Sequence, residues 1–361
     1  MNLPELKIGN LIAKIPIVQG GMGVGISLSS LAGSVAAQGG IGVISGVEIG
    51  FNEPDYHKNK KQANIRALKH HIQKAREKCK EGIIGVNIMT ALNNFEEMVK
   101  ESVNAKVDII FAGAGLPLKL PKYTKGSNTK IAPIVSSGRT AEILCKSWDK
   151  HYHVIPDAIV VEGPKAGGHL GFSKDTLNLP KNHLNYLLSD VLSVIKPYEI
   201  KYNKKIPIIA AGGIFDGKDI ADLMKIGASG VQLGTRFVAT YECDASEEFK
   251  KTYINANKDD IKIIQSPVGM IGRAIGNDFL EEAKSGSKKP TECFINCLKP
   301  CNPSEAPYCI AQALINAQKG NMDCGFAFAG ANVYKINKIQ SVKELMTDLV
   351  EEAKIYFYSK K

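Results

Sequence analysis

Ile208-Ile209-Ala210-Ala211-Gly212-Gly213-Ile214 is a short apolar run that stops at two glycines. A helical pattern, Gly217–Ile226, follows, and Gly227 closes it. The device then recurs in Val231-Gln232-Leu233-Gly234-Thr235-Arg236-Phe237. These runs are apolar throughout, so each reads as a strand buried on both faces of a parallel sheet. Working outward, further runs of this kind stand at Ile15–Gln19, Gly42–Ser45, Ile83–Asn87, Ile109–Ala112, Ile131–Val135 and Ala158–Glu162; Ile208–Ala211 and Gly230–Leu233 complete eight. Helical patterns at Leu28–Gln38, Asn64–Cys79, Phe95–Asn104, Thr140–His151 and Leu184–Ile195 lie between them. Ser27 or Ser29 is the expected N-cap of the first, and Gly39-Gly40 its stop. Eight βα units predict an α/β fold, a TIM (β/α)8 barrel. An open doubly wound sheet is the competitor, but it would not bring glycine turns from several strand ends to one place.

The segment from about Tyr241 to Asn337 departs from the pattern. It holds Pro267, Pro290, Pro300, Pro303 and Pro307 and most of the cysteines. It reads as a smaller, mainly helical lobe over residues 241–337, inserted near the C-terminus and covering the barrel mouth. Residues 1–240 plus 338–361 then form the barrel, with Ser341–Lys354 as its closing helix.

Composition narrows the function classes. The chain has 361 residues, 44% hydrophobic and 23% charged, enough for a barrel with an added lobe. No run approaches the roughly 18 to 20 apolar residues of a membrane span. The start, Met1 to Lys7, lacks the pattern of a signal peptide, so a cytoplasmic location is expected. Net charge is +10. The dense stretch from His57 to Lys80 reads as a solvated helix face. Without interleaved aromatic residues it argues against nucleic acid and for attraction of acidic substrates or carriers. A homodimer is one assembly open to such a chain.

The chemistry-bearing motifs stand at the strand ends. Val160-Val161-Glu162-Gly163-Pro164-Lys165-Ala166-Gly167-Gly168-His169-Leu170-Gly171 carries one side chain that ordinarily titrates near neutrality, His169. It is the candidate general base or donor to an anionic substrate. Gln19-Gly20-Gly21-Met22-Gly23 would let a planar ligand approach the backbone, and Asn87 at its strand end can offer a donor and an acceptor. The turns at Gly212-Gly213 and Gly234-Thr235, at strands seven and eight, match the phosphate clamp of barrels. No arrangement suggests a catalytic metal. Cys293, Cys297, Cys301, Cys309 and Cys324 cluster late in the chain. Packing as reduced, buried thiols is the first reading; a bound metal or cluster and redox thiols are the others.

Taken together, Val18-Gln19-Gly20-Gly21-Met22-Gly23, the Glu162 to Gly171 loop, Ile209-Ala210-Ala211-Gly212-Gly213-Ile214-Phe215-Asp216-Gly217 and Gln232-Leu233-Gly234-Thr235-Arg236-Phe237 resemble, in order, the nitronate monooxygenase (2-nitropropane dioxygenase-like) flavoproteins. The flavin-dependent enoyl-acyl-carrier-protein reductase II is similar and belongs to the same superfamily. The resemblance implies a barrel binding FMN without a covalent link. Its flavin contacts would fall on Gly20, Gly21, Met22, Asn87, Glu162, Gly167, Gly213, Gln232, Leu233, Gly234 and Thr235, with Gly168 and Gly212 in the same turns. The family's active-site histidine falls on His169. Monooxygenases of the family often carry Gln at the position of Glu162, and the reductase branch often Glu. Glu162 is therefore a departure from the monooxygenase pattern, while the resemblance as a whole implies oxidation of alkyl nitronates with oxygen. The alternatives are NAD(P)H-dependent reduction of an enoyl thioester on acyl carrier protein or of a quinone, and a flavin- or metal-binding module without turnover.

Overall fold

A computed structural model describes residues 2–286, 293 and 295–359. Met1 and Pro290, cited above, lie outside the described residues. A short hairpin opens the chain, β1 (Leu6–Ile8) against β2 (Leu11–Ala13). The barrel strands begin with β3 (Ile17–Gln19), β4 (Ile41–Ser45), β5 (Ile83–Met89), β6 (Ile109–Gly113), β7 (Lys130–Val135) and β8 (Ile159–Glu162). After a two-residue strand β9 (Gly168–His169) outside the barrel, β10 (Ile208–Ala211) and β11 (Gly230–Leu233) complete it. Consecutive barrel strands pair in parallel, and β11 returns to β3, closing a sheet of eight strands. All eight predicted strands are present.

Each strand is apolar throughout because both of its faces are buried. In β6 and β8, Ile109, Phe111 and Val160 belong to the barrel interior, while Ile110, Ala112, Ile159 and Val161 pack outward against the helices. Leu6, Ile8 and Ala13 join the interior layer. The hairpin thus supplies apolar cover to that layer, an element too short to be legible as a strand pair in the sequence. The buried Gln19 side chain extends the short β3–β4 ladder, accepting from the Val43 N–H and donating to its carbonyl, each at 3.1 Å.

The outer ring comprises α1 (Ser29–Ala37), α2 (Tyr56–Cys79), α3 (Phe95–Asn104), α4 (Leu120–Thr124), α5 (Gly138–Tyr152), α6 (Leu184–Tyr202) and α7 (Gly217–Ile226). A one-turn helix α8 (Thr235–Val238) follows β11. Two helices run longer than the sequence pattern. α2 starts at Tyr56 rather than Asn64, across a kink at Asn59, because the Tyr56 hydroxyl is tied to buried Glu48 at 2.7 Å. α6 continues past Pro197, which lies on the exposed face along with Ser193, whose carbonyl loses its helical partner to the proline and can be solvated there.

Neither Ser27 nor Ser29 caps α1. Ser27 Oγ accepts from the Met22 N–H and closes the loop after β3, while Ser29 pairs with His71. The cap comes from far along the chain: the Asp244 carboxylate accepts from the N–H groups of Leu28, Ser30 and Leu31 at 2.8, 3.2 and 3.1 Å.

Beyond Tyr241 lie α9 (Glu247–Asn255), α10 (Asp278–Lys284) and α11 (Ile310–Gln318). With them comes a hairpin that the mainly helical reading does not include, β12 (Ile261–Gln265) and β13 (Ile271–Ile275), whose second strand pairs with β9. The last helix, α12 (Val342–Tyr358), starts at Ser341 in a capping box with Glu344 and packs on α7 and α1.

Candidate active site

At the C-terminal ends of the barrel strands lies a cavity of about 290 Å³. Every residue expected at the flavin site or in catalysis lines it: Gly20, Gly21, Met22, Asn87, Glu162, Gly167, Gly168, His169, Gly212, Gly213, Gln232, Leu233, Gly234 and Thr235. They come from the C-terminal ends of β3, β5, β8, β10 and β11 and the segments that follow them, which a closed parallel barrel brings together.

The glycines are there for close approach. A Cβ on Gly21 would stand 2.3 Å from Asn87 Cβ, so that turn lies flat against the Asn87 side chain. Gly212 and Gly213 both adopt positive φ, +94° and +90°, a conformation that L side chains rarely take. The Gly213 carbonyl is held by Asn332 Nδ2 at 2.6 Å. Thr235 Oγ1 accepts from the Gly330 N–H at 2.9 Å.

His169 is fixed by the hairpin above it. As part of β9 it pairs with Gly272, its Nε2 lies 2.7 Å from Ser266 Oγ, and its ring packs at 5.1 Å on Phe328. Desolvation lowers its pKa to about 4, so the imidazole is neutral at neutral pH. Burial acts in the opposite direction on Glu162, whose carboxyl rises to about 7. The loop between them is pinned by buried Arg273, which donates to the carbonyls of Pro164 and Ala166 at 2.6 Å each. Arg236 lies along its own wall of the cavity, its guanidinium 4.4 Å over Phe215 and its buried Nε without a partner among the described residues.

Ser266, Arg273, Phe328, Gly330 and Asn332 are the residues that sequence reasoning missed. All lie outside the βα repeat, on segments with no glycine turn at a strand end. The alternating small and aromatic run Phe326-Ala327-Phe328-Ala329-Gly330 was the one available signal.

A flavin fits this lining. Met22, Met89 and Ile134 offer apolar surface for a ring system, Asn87 and Gln232 offer amides, and the positive-φ turn and Arg236, whose Nε has no partner among the described residues, offer groups suited to an anion.

A mouth of this construction belongs to a TIM-barrel enzyme. A family model for nitronate monooxygenase matches residues 5–352. A probable nitronate monooxygenase of Staphylococcus aureus (strain Newman) is 38% identical over 127 residues, covering 35% of this chain and 33% of that protein. The chain therefore matches about a third of the length of such curated relatives. Among solved structures, FabK from Thermotoga maritima is 27% identical, covers 94% of this chain and 93% of its own, and superposes with a TM-score of 0.72. A nitroalkane oxidase from Streptomyces ansochromogenes, 20% identical over 95% and 96% of the two chains at a TM-score of 0.70, shares the fold. The chain belongs to the nitronate monooxygenase family, a family of flavin-dependent oxidoreductases.

Proposed function

We propose that the chain binds FMN at the barrel mouth and oxidises small alkyl nitronates with oxygen. The observation that carries this reading is the convergence of a neutral, hydrogen-bonded His169 with Glu162 and the glycine turns on one cavity. The family match and the Staphylococcus aureus relatives support the nitronate as substrate. A bound FMN would supply the electron acceptor. Gly20, Gly21 and Met22, with Asn87 and Gln232, would hold its ring, and Gly212, Gly213, Gly234 and Thr235 its phosphate. His169, anchored at Nε2 by Ser266, would offer its other ring nitrogen to the anion or to a transferred proton. Glu162 accommodates an anion best in its neutral form, so substrate binding would weaken as pH rises through about 7.

A second reading has its own support. Glu162 matches the reductase branch, and the likeness to FabK spans nearly the whole chain. In it NAD(P)H is the electron donor and an enoyl thioester, on an acidic carrier protein, the acceptor. The deciding experiment mixes the flavin-loaded protein anaerobically with an alkyl nitronate, and separately with NADH or NADPH. Bleaching by nitronate supports the first reading; bleaching by a nicotinamide alone supports the second. No change with nitronate refutes the first.

A further inference from the structure

The cysteines are unexplained by the flavin site. Four of the chain's eight, Cys293, Cys297, Cys301 and Cys309, line a second, small cavity of about 20 Å³. The segment carrying them, which ends where α11 begins, has no helix or strand of its own among its described residues, and it contains Pro300, Pro303 and Pro307. So long an irregular stretch in a compact fold calls for something to order it. It is tied to the barrel over residues 295–298. Leu298 bridges to Leu92, the Asn93 N–H donates to the Cys297 carbonyl at 3.0 Å, and Lys60 Nζ donates to the Ile295 carbonyl.

Two observations point to a ligand in the small cavity. Tyr308, only 6% exposed, lines it, and its buried hydroxyl has no partner among the described residues. A phenol O–H left unpaired in a buried place is costly, and sulfur-bound charge would give it an acceptor. Second, Cys293 Sγ already accepts the Asn296 N–H at 3.3 Å, the kind of bond that stabilises a metal-bound thiolate.

We propose that Cys293, Cys297, Cys301 and Cys309 ligate one thiophilic metal centre, zinc or an iron–sulfur cluster, that staples this segment to the barrel. Four thiolates are the donor set both share. As the side chains stand, no three potential ligands among the described residues converge on one point, so binding requires their rotation. Cys293, Cys301 and Cys309 are only part-buried, which leaves room for it. The centre would touch the barrel mouth, because Cys297 and Leu298 line both cavities.

The test is elemental. The full chain is purified without air and without chelator, and zinc, iron and acid-labile sulfide are measured per chain. About one zinc, or iron with a matching amount of sulfide, is expected. The double variant Cys293→Ser/Cys301→Ser should lose at least four-fifths of that metal, while Cys324→Ser, exposed and outside the cluster, retains it. Wild-type protein with less than a tenth of an equivalent of zinc or iron overturns the proposal, whether its thiols titrate free or as disulfides. Metal retained in full by a folded double variant overturns it too. None of these readouts depends on flavin or turnover.

Discussion

Replacing Gly213 by alanine should weaken flavin binding, and the structure fixes how much. At φ +90° an L-residue incurs about 1–2 kcal/mol of backbone strain. The new Cβ would also stand 2.6 Å from Lys165 Cβ. That atom is the root of a side chain, not its flexible end, so the backbone around Lys165 must move. Arg273 holds that backbone at Pro164 and Ala166, and overpacking against such a constraint costs about 1–3 kcal/mol. The sum is about 2–5 kcal/mol, delivered to the loop that carries Gly167 to His169. Part relaxes into the fold, and the remainder should raise the FMN dissociation constant at least tenfold, about 1.4 kcal/mol. Gly168→Ala is the internal control: its φ is +82°, but a Cβ there meets nothing within 4 Å, so only the conformational cost applies. Titration of apoprotein by quenching of flavin fluorescence, beside urea melts of both variants, separates binding from folding. A Gly213→Ala protein that binds FMN within twofold of wild type would show that this turn does not hold the flavin. Equal losses in the two variants would show that the Lys165 contact is not the cause.

Other expectations follow from individual contacts. Ser266→Ala removes the hydroxyl 2.7 Å from His169 Nε2 and should lower kcat about fivefold with a smaller change in KM, since one hydrogen bond that orients the ring is worth about 1 kcal/mol; equal effects on both constants would point to binding instead. For Glu162, burial raises the folded pKa above its unfolded value, so the native state holds the proton more tightly and stability falls as pH climbs through about 7. Glu162→Gln abolishes that loss, so its melting temperature should gain on wild type between pH 5 and pH 8.5, and parallel curves would contradict the burial argument. Asp244→Ala strips three N–H groups of their acceptor at the start of α1 and should cost about 2–4 kcal/mol in urea unfolding. Asp244→Asn should recover about half, because Leu28 and Leu31 share one carboxylate oxygen and Ser30 uses the other.

The barrel was legible in the sequence because its signal is local and repeated. A strand buried on both faces must be apolar at every position, and the turn after it must be glycine where backbone meets ligand. Hence Ile208 to Gly213 and its seven counterparts announced themselves, and the site residues on those turns came with them. Tertiary structure decided what depends on partners distant in the chain. Asp244 caps a helix more than two hundred residues before it, so no local pattern at Ser27 or Ser29 could show the cap. Ser266 and Phe328 reach His169 only because β13 pairs with β9, a register set by folding and not by periodicity. The same holds for charge: His169 and Glu162 titrate ordinarily in an open chain, and only their burial at the barrel mouth drives the histidine toward 4 and the carboxyl toward 7.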